Sequence, residues 1–501
     1  MELSDFPQDI RSNIIPKTSG QYEYHCLKCQ KIWDIDRLLY TCPSCGSVLM
    51  IEDQQSDRLK QLPGKLWHKI FNYRKLLNIQ GLKGIFRYHE FLGAVLPLDA
   101  LVYLGEAHTP MIEANKVLQD KMGICFYYKN DGQNPSASFK DRGMACALSY
   151  INYLIRSGKL SEVLAICAST GDTSAAAALY GAYLAPHIKT AVLLPHKKVT
   201  PQQLSQPLGS GAKVFEIPGV FDDCMKVVEA LADQYHVALL NSKNAWRILG
   251  QESYSYEIAQ DFDYKLESVA IVVPIGNAGN ITAVMNGFIK FFNAGVITHL
   301  PRIIGVQSHH ADPVFQYYAE KDLQKRQYKA VTVKPSVAQA AMIGNPVSMP
   351  RVIDRVNLYN EISGKENVFV VQVTEQQIMD YQILANQNGH IVCTHGGECL
   401  AGLIQALDHK IIDNNYHAVL DSTAHALKFT GFQDQYFQNN FSPEFGIVPK
   451  KELQNYPVLI SPKNIPAPTP GKQLSPEKFQ QFLEQTSAEI ASCLQLKKRQ
   501  L

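Results

Sequence analysis

Hydrophobic and polar positions alternate along this chain in blocks that predict an α/β fold. Wholly apolar runs at 163–167, 191–194 and 269–275 are typical of strands buried in a parallel sheet. Small residues follow the first and last of these runs, and a helical stripe at 221–234 lies between the second and the third. Strands that alternate with helices in this way predict parallel sheets covered by helices. We therefore expect a body of two layered α/β subdomains that begins near residue 101.

The same patterns divide the chain into four predicted segments. These are a ribbon-like domain at 1–52, a helical connector at 53–100, a body at 101–460 with a smaller subdomain at about 141–260, and a tail at 461–501. The tail opens with a proline-rich linker, and a charged amphipathic helix is predicted from Pro476 to about Gln495.

Length, charge and cysteine usage narrow the class of protein. A chain of 501 residues exceeds the usual single domain. A net charge of +2 without blocks of like charge argues against a nucleic-acid partner. The stretch 268–289 is uncharged, but Pro274 and Gly276 in its middle argue against a membrane span. The acidic N-terminus has no apolar signal core, and the scattered thiols suit a reducing compartment. We expect a cytoplasmic protein.

Four cysteines near the N-terminus have the spacing of a metal site. Cys26 and Cys29 form one Cys-x-x-Cys pair, and Cys42 and Cys45 form a second after twelve residues. This spacing predicts a zinc ribbon with tetrahedral thiolate ligands, and a complete thiolate shell is structural. Alternating residues at 32–35 and 38–40 predict its short strands. A disulfide pair, or a ribbon without metal, stays open.

A polar turn at 134–138 leads directly into a predicted helix whose apolar stripe begins at Phe139. Ser136 and Ser138 are the expected N-caps of that helix. Lys140 then lies in the first helical turn, where positive potential favours the neutral amine that a Schiff base requires. An ordinary surface lysine is the alternative.

Two further loops have the composition of anion sites. Residues 168–176 and 276–280 each join a buried apolar run to a helix start and consist of small residues. Free amides at a helix N-terminus bind carboxylates and phosphates. The chain has no Gly-x-Gly-x-x-Gly or Walker pattern, which argues against a dinucleotide or a nucleoside triphosphate.

The wording of these segments resembles the threonine synthases, which are fold-type II pyridoxal-phosphate enzymes. Asn-Pro-Ser-Ala-Ser-Phe-Lys-Asp-Arg-Gly at 134–143 and Gly-Asn-Ala-Gly-Asn-Ile-Thr-Ala at 276–283 carry the resemblance, which extends over about 100–435. It implies the tryptophan synthase β-like fold, with pyridoxal phosphate bound as a Schiff base to Lys140. The implied cofactor-binding residues are Lys140, Asp172, Gly276, Asn277, Ala278, Gly279, Asn280 and Thr423. The implied substrate-binding residues are Ser169, Thr170, Ser174, Asn241, Ser242 and Arg247.

Three positions within the resemblance have particular consequences. Asp172 stands where the family commonly has Asn, although longer family members also have Asp, and an ionised Asp cannot donate to a phenolate. Thr423 matches the hydroxyl that meets the pyridine nitrogen, an arrangement consistent with elimination and replacement chemistry. His395 lies between Cys393 and Cys399, and this group is expected to be packing.

The resemblance implies that O-phospho-L-homoserine and water become L-threonine and phosphate, with Lys140 moving protons. Threonine dehydratase or cysteate synthase on the same scaffold is the alternative. The 241–247 segment discriminates between them, because only a phosphorylated substrate needs an anion pocket there. A zinc-ribbon interaction protein with a decayed enzyme body is a third hypothesis, against which Lys140 and the glycine loop count. The sequence leaves open whether the protein forms a homodimer.

Overall fold

In a computed structural model the described residues are 2–161, 163–169, 171–196, 201–219 and 221–499. They separate into two compact units, Met1–Lys450 and Lys451–Leu501. Among these residues no helix has both the length and the apolar character to cross a membrane.

The strands within the described residues are β1 (Tyr22–Cys26), β2 (Ile32–Asp34), β3 (Leu49–Asp53), β4 (Met111–Glu113), β5 (Cys125–Asn130), β6 (Val163–Ala168), β7 (Ile188–Pro195), β8 (Lys213–Ile217), β9 (Val237–Leu239), β10 (Val269–Pro274), β11 (Arg302–Ser308), β12 (Val368–Val373) and β13 (His417–Ser422). The α-helices are α1 (Gly64–Arg74), α2 (His89–Leu92), α3 (Lys116–Met122), α4 (Lys140–Arg156), α5 (Asp172–Tyr183), α6 (Pro201–Gly209), α7 (Phe221–Gln234), α8 (Ala245–Gln251), α9 (Ser253–Asp261), α10 (Gly279–Asn293), α11 (Pro313–Ala319), α12 (Met349–Ser363), α13 (Glu375–Gln387), α14 (Thr394–Asp408), α15 (Thr430–Gln438) and α16 (Pro476–Cys493).

The first unit contains three sheets. A small antiparallel sheet has the order β2-β1-β3 and is formed by the N-terminal segment. A six-stranded sheet has the order β12-β11-β10-β13-β5-β4 and is parallel except for the edge strand β4. A four-stranded sheet has the order β8-β7-β6-β9 and is parallel throughout. The predicted α/β fold is confirmed.

The apolar runs behave as buried parallel strands do. All six residues of β10 are buried, and Ile271 lies in register between Ile303 on β11 and Val419 on β13. Loops that leave the carboxyl ends of β10, β13 and β5 therefore converge at one edge of the sheet. The loops after β6 and β9 converge at the matching edge of the four-stranded sheet, and the candidate site is built from both groups.

Two local expectations are wrong in detail. Helix α4 begins at Lys140 without a side-chain cap, so neither Ser136 nor Ser138 caps it. Asp141 closes the turn instead, because its Oδ2 accepts the amide of Ser136 at 2.7 Å. Residues 38–40 are not a strand, and the third ribbon strand is β3. Helix α10 begins at Gly279, so the end of the glycine loop is already helical.

The second unit contains α16, whose N-cap Ser475 accepts the amide of Lys478 at 3.4 Å. This helix ends at Cys493, slightly before the predicted end, and none of its residues is buried.

Candidate active site

A cleft of about 900 Å³ opens where the two groups of strand-end loops meet. It brings together most of the residues that the sequence predicts for the site. Those that line it are Lys140, Ser169, Asp172, Asn241, Ser242, Arg247, Gly276, Asn277, Ala278, Gly279, Asn280 and Thr423. Thr170 lies outside the described residues.

Lys140 is half-buried at the first position of α4. Burial, and after it the positive charge of Arg247, lower the pKa of its amine to about 7, against the opposing effect of Asp172. The turn before it is held to the opposite loop, since the amide of Phe139 donates to the carbonyl of Thr423 at 2.8 Å. An amine with this pKa is about half neutral near pH 7, and the neutral form is able to attack a carbonyl carbon.

Close contact between α4 and α8 places Arg247 beside Lys140. A Cβ added to Gly143 would lie 2.9 Å from the carbonyl oxygen of Arg247, and one added to Gly250 would lie 2.3 Å from that of Arg142. Only glycine allows the two helix backbones to approach this closely. The glycine of the Lys-Asp-Arg-Gly run thus has a packing role in assembling the site.

Arg247 is a buried cation without a counter-ion. Its side chain is 2% exposed, and its one described hydrogen bond runs from Nη1 to the Leu240 carbonyl at 3.0 Å. Nε has no partner among the described residues, and no carboxylate in that part of the chain pairs with the guanidinium. Burial lowers its pKa to about 10, so it stays charged at neutral pH. A buried guanidinium with free donors at the wall of a cleft is suited to bind an anion.

The glycine loop fits the phosphate of the implied cofactor. A Cβ on Gly276 would lie 3.0 Å from the Cα of Ala341, so the loop packs directly on a neighbouring segment. Ala278 has a left-handed φ of 63°, which turns the chain into α10. The first amides of a helix have no partner within it, and here they face the cleft between two uncharged asparagines. Phosphate is the class of anion that such a cradle accepts.

The implied ring-facing residues also have suitable partners. The Thr423 hydroxyl lies 3.6 Å from the Cys393 thiol. Asn280 donates to Asp421 at 2.7 Å, and burial raises the pKa of that carboxyl well above its usual range. The hydroxyls of Ser136 and Ser138, in the turn before Lys140, are buried without partners among the described residues.

Asp172 forms an ion pair that the sequence did not predict. Lys428 approaches its Oδ1 at 2.8 Å and also donates to the Ser136 carbonyl at 2.9 Å. Asp172 alone has no proton to donate when ionised, whereas the ammonium of Lys428 brings donors to the same position. The pair therefore joins the start of α5 to the turn that precedes Lys140.

The implied substrate-binding side chains differ in whether their hydrogen-bonding groups already have a partner. The Ser174 hydroxyl donates to the Gly171 carbonyl at 2.7 Å, so it is already engaged. The Ser169 hydroxyl accepts the Gly171 amide at 3.3 Å and keeps its own proton available. Asn241 accepts the amide of Lys243 at 3.1 Å, which fixes the turn that leads to Arg247.

His395 is a cleft residue that the sequence argument treated as packing. Its Nδ1 lies 2.9 Å from the Glu398 carboxylate, and its Nε2 has no partner among the described residues. It lines the cleft near Phe429, with ring centroids 6.2 Å apart. A signal for it in the sequence is the glutamate three residues further on, and both residues lie on one face of α14.

The four N-terminal cysteines form a separate site. Their Sγ atoms all lie within 4.8 Å of one another, with 3.5 Å between Cys26 and Cys45 and between Cys29 and Cys42. Thiolates bound to tetrahedral zinc at about 2.3 Å are separated by about 3.8 Å. The geometry therefore fits a closed tetrahedral metal shell on the two knuckles of the ribbon.

Comparisons with known proteins agree with this geometry. The family described as "Pyridoxal-phosphate dependent enzyme" matches residues 102–420. Threonine synthase from Methanocaldococcus jannaschii is 34% identical over 80% of this chain and 92% of that protein. Chloroplastic threonine synthase 2 from Arabidopsis thaliana is 31% identical over 81% of this chain and 77% of that protein.

Solved structures agree on the fold. The crystal structure of threonine synthase from Escherichia coli superposes with a TM-score of 0.60 at 19% identity and covers 82% of this chain and 90% of its own. A threonine deaminase from Solanum lycopersicum superposes with a TM-score of 0.51 at 18% identity, over 70% of this chain and 92% of its own.

Fold and site together define an enzyme of the fold-type II, pyridoxal-phosphate dependent class. Within that class, the related sequences are named threonine synthases. The chain belongs to the threonine synthase family of pyridoxal-phosphate dependent enzymes.

Proposed function

We propose that this protein converts O-phospho-L-homoserine and water to L-threonine and phosphate. The observation that carries the proposal is Arg247, a buried cation with free donors and no carboxylate partner among the described residues. A phosphorylated substrate supplies the missing negative charge, whereas a plain hydroxy amino acid does not. The alternative of a dehydratase or cysteate synthase is not favoured, because the curated relatives reported above carry the name threonine synthase.

Lys140 is the proposed attachment residue for the cofactor. Pyridoxal phosphate, when bound, supplies an electron sink for charge that develops at the substrate's α-carbon. The loop Gly276–Asn280 would hold its phosphate, the Thr423 hydroxyl its pyridine nitrogen, and the Asp172–Lys428 pair its phenolic oxygen. Because its pKa is lowered, Lys140 has a neutral form that would accept a proton from the substrate's α-carbon. The resulting ammonium would then return the proton at another carbon of the substrate.

The substrate's two anionic ends are assigned to different loops. Ser169 and the amides that open α5 would bind the carboxylate, with Thr170 and Ser174 as the remaining members of that loop. Asn241, Ser242 and Arg247 would bind the phosphate and support it as it leaves. Separate anion sites fix the substrate at both ends and so orient the carbon atoms between them.

Structural zinc in the ribbon is part of the proposal. Cys26, Cys29, Cys42 and Cys45 would hold about one ion per chain, with no open position for substrate. Metal analysis of the purified protein, with Cys42→Ser as the matched variant, tests this assignment. A wild-type protein without zinc would contradict it. The cytoplasm is the proposed compartment, because reduced thiolates persist there.

The deciding experiment is an assay of both products. Purified protein with pyridoxal phosphate is mixed with O-phospho-L-homoserine, and threonine and phosphate should appear in equal amounts. Borohydride reduction followed by peptide mapping should leave the cofactor on Lys140, and Lys140→Ala should lack the visible absorption band. Release of a keto acid and ammonia from threonine, with no reaction of the phosphorylated substrate, would support a dehydratase instead.

A further inference from the structure

Arg351 is a second buried arginine without a carboxylate partner among the described residues, and its surroundings differ from those of Arg247. Its side chain is fully buried near the start of α12. Each of its five N–H groups has an acceptor, at distances between 2.6 and 3.0 Å. No donor is left for a ligand, so Arg351 holds protein segments together.

The acceptors belong to three separate segments. Nε and Nη2 both donate to the carbonyl of Leu49 on β3 of the ribbon, at 3.0 and 2.6 Å. Nη1 and Nη2 donate to the carbonyls of Ser242 and Lys243, in the turn proposed to bind the substrate phosphate. Nη1 also donates to the hydroxyl of Ser348, whose amide donates to the Asn277 carbonyl in the glycine loop.

A second connection joins the ribbon to the anion pocket independently. Trp246 precedes Arg247 on α8, and its Nε1 donates to the Tyr24 hydroxyl on β1 at 3.0 Å. Its ring stacks on Tyr150 with centroids 4.1 Å apart. Tyr24 and Trp246 are each 1% exposed, so the hydrogen bond is shielded from water.

Both connections end close to the four-cysteine site. Leu49 is the register partner of Cys26 in the β1–β3 pair, and Tyr24 lies two residues before that cysteine. The same small sheet thus ends at Cys26 of the four-cysteine cluster and supports the turn at Ser242 and the helix of Arg247. A closed metal shell makes no contact with substrate, but it can fix the sheet that positions the pocket.

We propose that the N-terminal ribbon is part of the substrate-binding apparatus, with Arg351 and the Tyr24–Trp246 pair as positioning residues that set the affinity for the substrate's phosphate group. This inference rests on the proposed function. On this proposal the ribbon lowers the KM for the substrate and has little effect on the chemistry at Lys140.

The test compares holoenzymes carrying Arg351→Met, Tyr24→Phe and, as control, Arg355→Met. Arg355 is one turn further along α12 and contacts Asp354 and Asn286, with no described hydrogen bond to the ribbon. We expect Arg351→Met to raise KM for O-phospho-L-homoserine about tenfold, with kcat within about twofold of wild type. Tyr24→Phe should raise KM by roughly threefold, since it removes the acceptor of the Trp246 Nε1–H and a long contact to the Tyr150 hydroxyl. The visible cofactor band should be unchanged in all three.

Calorimetric binding of inorganic phosphate to the same holoenzymes separates this inference from the proposed function. If wild type does not turn over the substrate, the proposed function fails, but weaker phosphate binding in Arg351→Met would still support the role of the ribbon. If Arg351→Met matches Arg355→Met in both KM and phosphate affinity, the inference is wrong. Should Arg351→Met not fold, Tyr24→Phe decides, because deleting one oxygen leaves the packing intact.

Discussion

Arg142 on α4 and Arg247 on α8 are buried arginines on two helices in contact, yet their surroundings are opposite. Arg142 makes two-pronged contacts with Asp131, at 2.7 and 2.8 Å, and with Glu257, at 2.5 and 2.9 Å. These carboxylates raise its pKa well above the usual value. Arg247 has one carbonyl partner, and burial lowers its pKa to about 10.

The difference shows which buried charge serves the fold and which is available to a ligand. Burying a cation costs several kcal/mol unless an anion compensates, and the compensation for Arg142 is internal. For Arg247 the compensation is left to whatever enters the cleft. The two cases are therefore expected to fail differently when the charge is removed, one in stability and the other in substrate recognition.

Arg142→Met should produce the larger effect, as a loss of stability. Removing the guanidinium leaves Asp131 and Glu257 buried together, with Lys129 at 3.1 Å from Glu257 and the Thr109 hydroxyl donating to Asp131. We expect the free energy of unfolding to fall by about 3–5 kcal/mol. Urea unfolding measures this, with Arg156→Met as the control on the same helix. Arg156 is 51% exposed and pairs with Asp99, so its loss should cost below about 1 kcal/mol. Equal losses of unfolding free energy in Arg142→Met and Arg156→Met would contradict a special structural role for Arg142.

Arg247→Ala should leave stability nearly unchanged and reduce recognition of phosphate. We expect kcat/KM for O-phospho-L-homoserine to fall by roughly two to three powers of ten, or about 3–4 kcal/mol. Side reactions with serine or threonine, which carry no phosphate, should change far less. The visible cofactor band should persist, because the cofactor's own phosphate is assigned to Gly276–Asn280. Equal losses for phosphorylated and plain substrates would place Arg247 outside the pocket.

Sequence patterns predicted the fold and most of the cleft for physical reasons that are local. Apolar runs such as 269–275 become buried strands whatever their partners, and small residues after them form anion loops. The ribbon's third strand, β3, was not assigned, because Leu49–Ile51 form an apolar run too short to distinguish from a loop.

Partners that are distant in sequence could not be predicted from these patterns. Asp172 and Lys428 are joined only by the folded chain, and Arg142 meets Glu257 across 115 positions. The absence of a serine cap at the start of α4 has a related reason. The carboxylate of Asp141, five residues after Ser136, accepts the Ser136 amide and so closes the turn before α4 without a serine cap.

The pH dependence of cofactor attachment sharpens the comparison through Lys140, on which the charge of Arg247 acts. Its amine is protonated below a pKa of about 7 and neutral above it. Attachment of pyridoxal phosphate to the apoprotein should therefore speed up as pH rises to about 7 and then level off. An exposed lysine would continue to gain rate toward about pH 10. In Arg247→Ala a neighbouring cation is gone, so the charged amine is less disfavoured and the midpoint should move to higher pH. Stopped-flow absorbance measures both curves.

The contribution of Lys140 to the stability of the apoprotein should also increase with pH. A depressed lysine pKa means that the unfolded chain binds more protons than the folded one above pH 7. The contribution of Lys140 to the stability of the apoprotein should thus improve from about pH 7 toward the unfolded pKa near 10.4. A midpoint of attachment that stays the same in Arg247→Ala would mean that burial alone sets the pKa of Lys140.

The Asp172–Lys428 pair is an intermediate case, a compensated charge inside the cleft, and the smallest effects are expected there. Lys428→Met leaves Asp172 buried and without its cation, facing the proposed position of the phenolic oxygen. Affinity for pyridoxal phosphate should weaken by roughly threefold to tenfold, as measured by fluorescence titration. The loss should remain modest because Gly276–Asn280 still hold the phosphate.

Adding Asp172→Asn to Lys428→Met should recover much of that affinity. An amide is neutral and donates hydrogen bonds, so it replaces both the lost donor and the unbalanced charge. A double-mutant cycle should give a coupling of about 1–2 kcal/mol between the two positions, within the range for groups in direct contact. If the double variant instead binds the cofactor more weakly than Lys428→Met, Asp172 has a role of its own that Asn cannot fill. The pair would then resemble the structural pairing of Arg142 more than a substitute for the usual Asn.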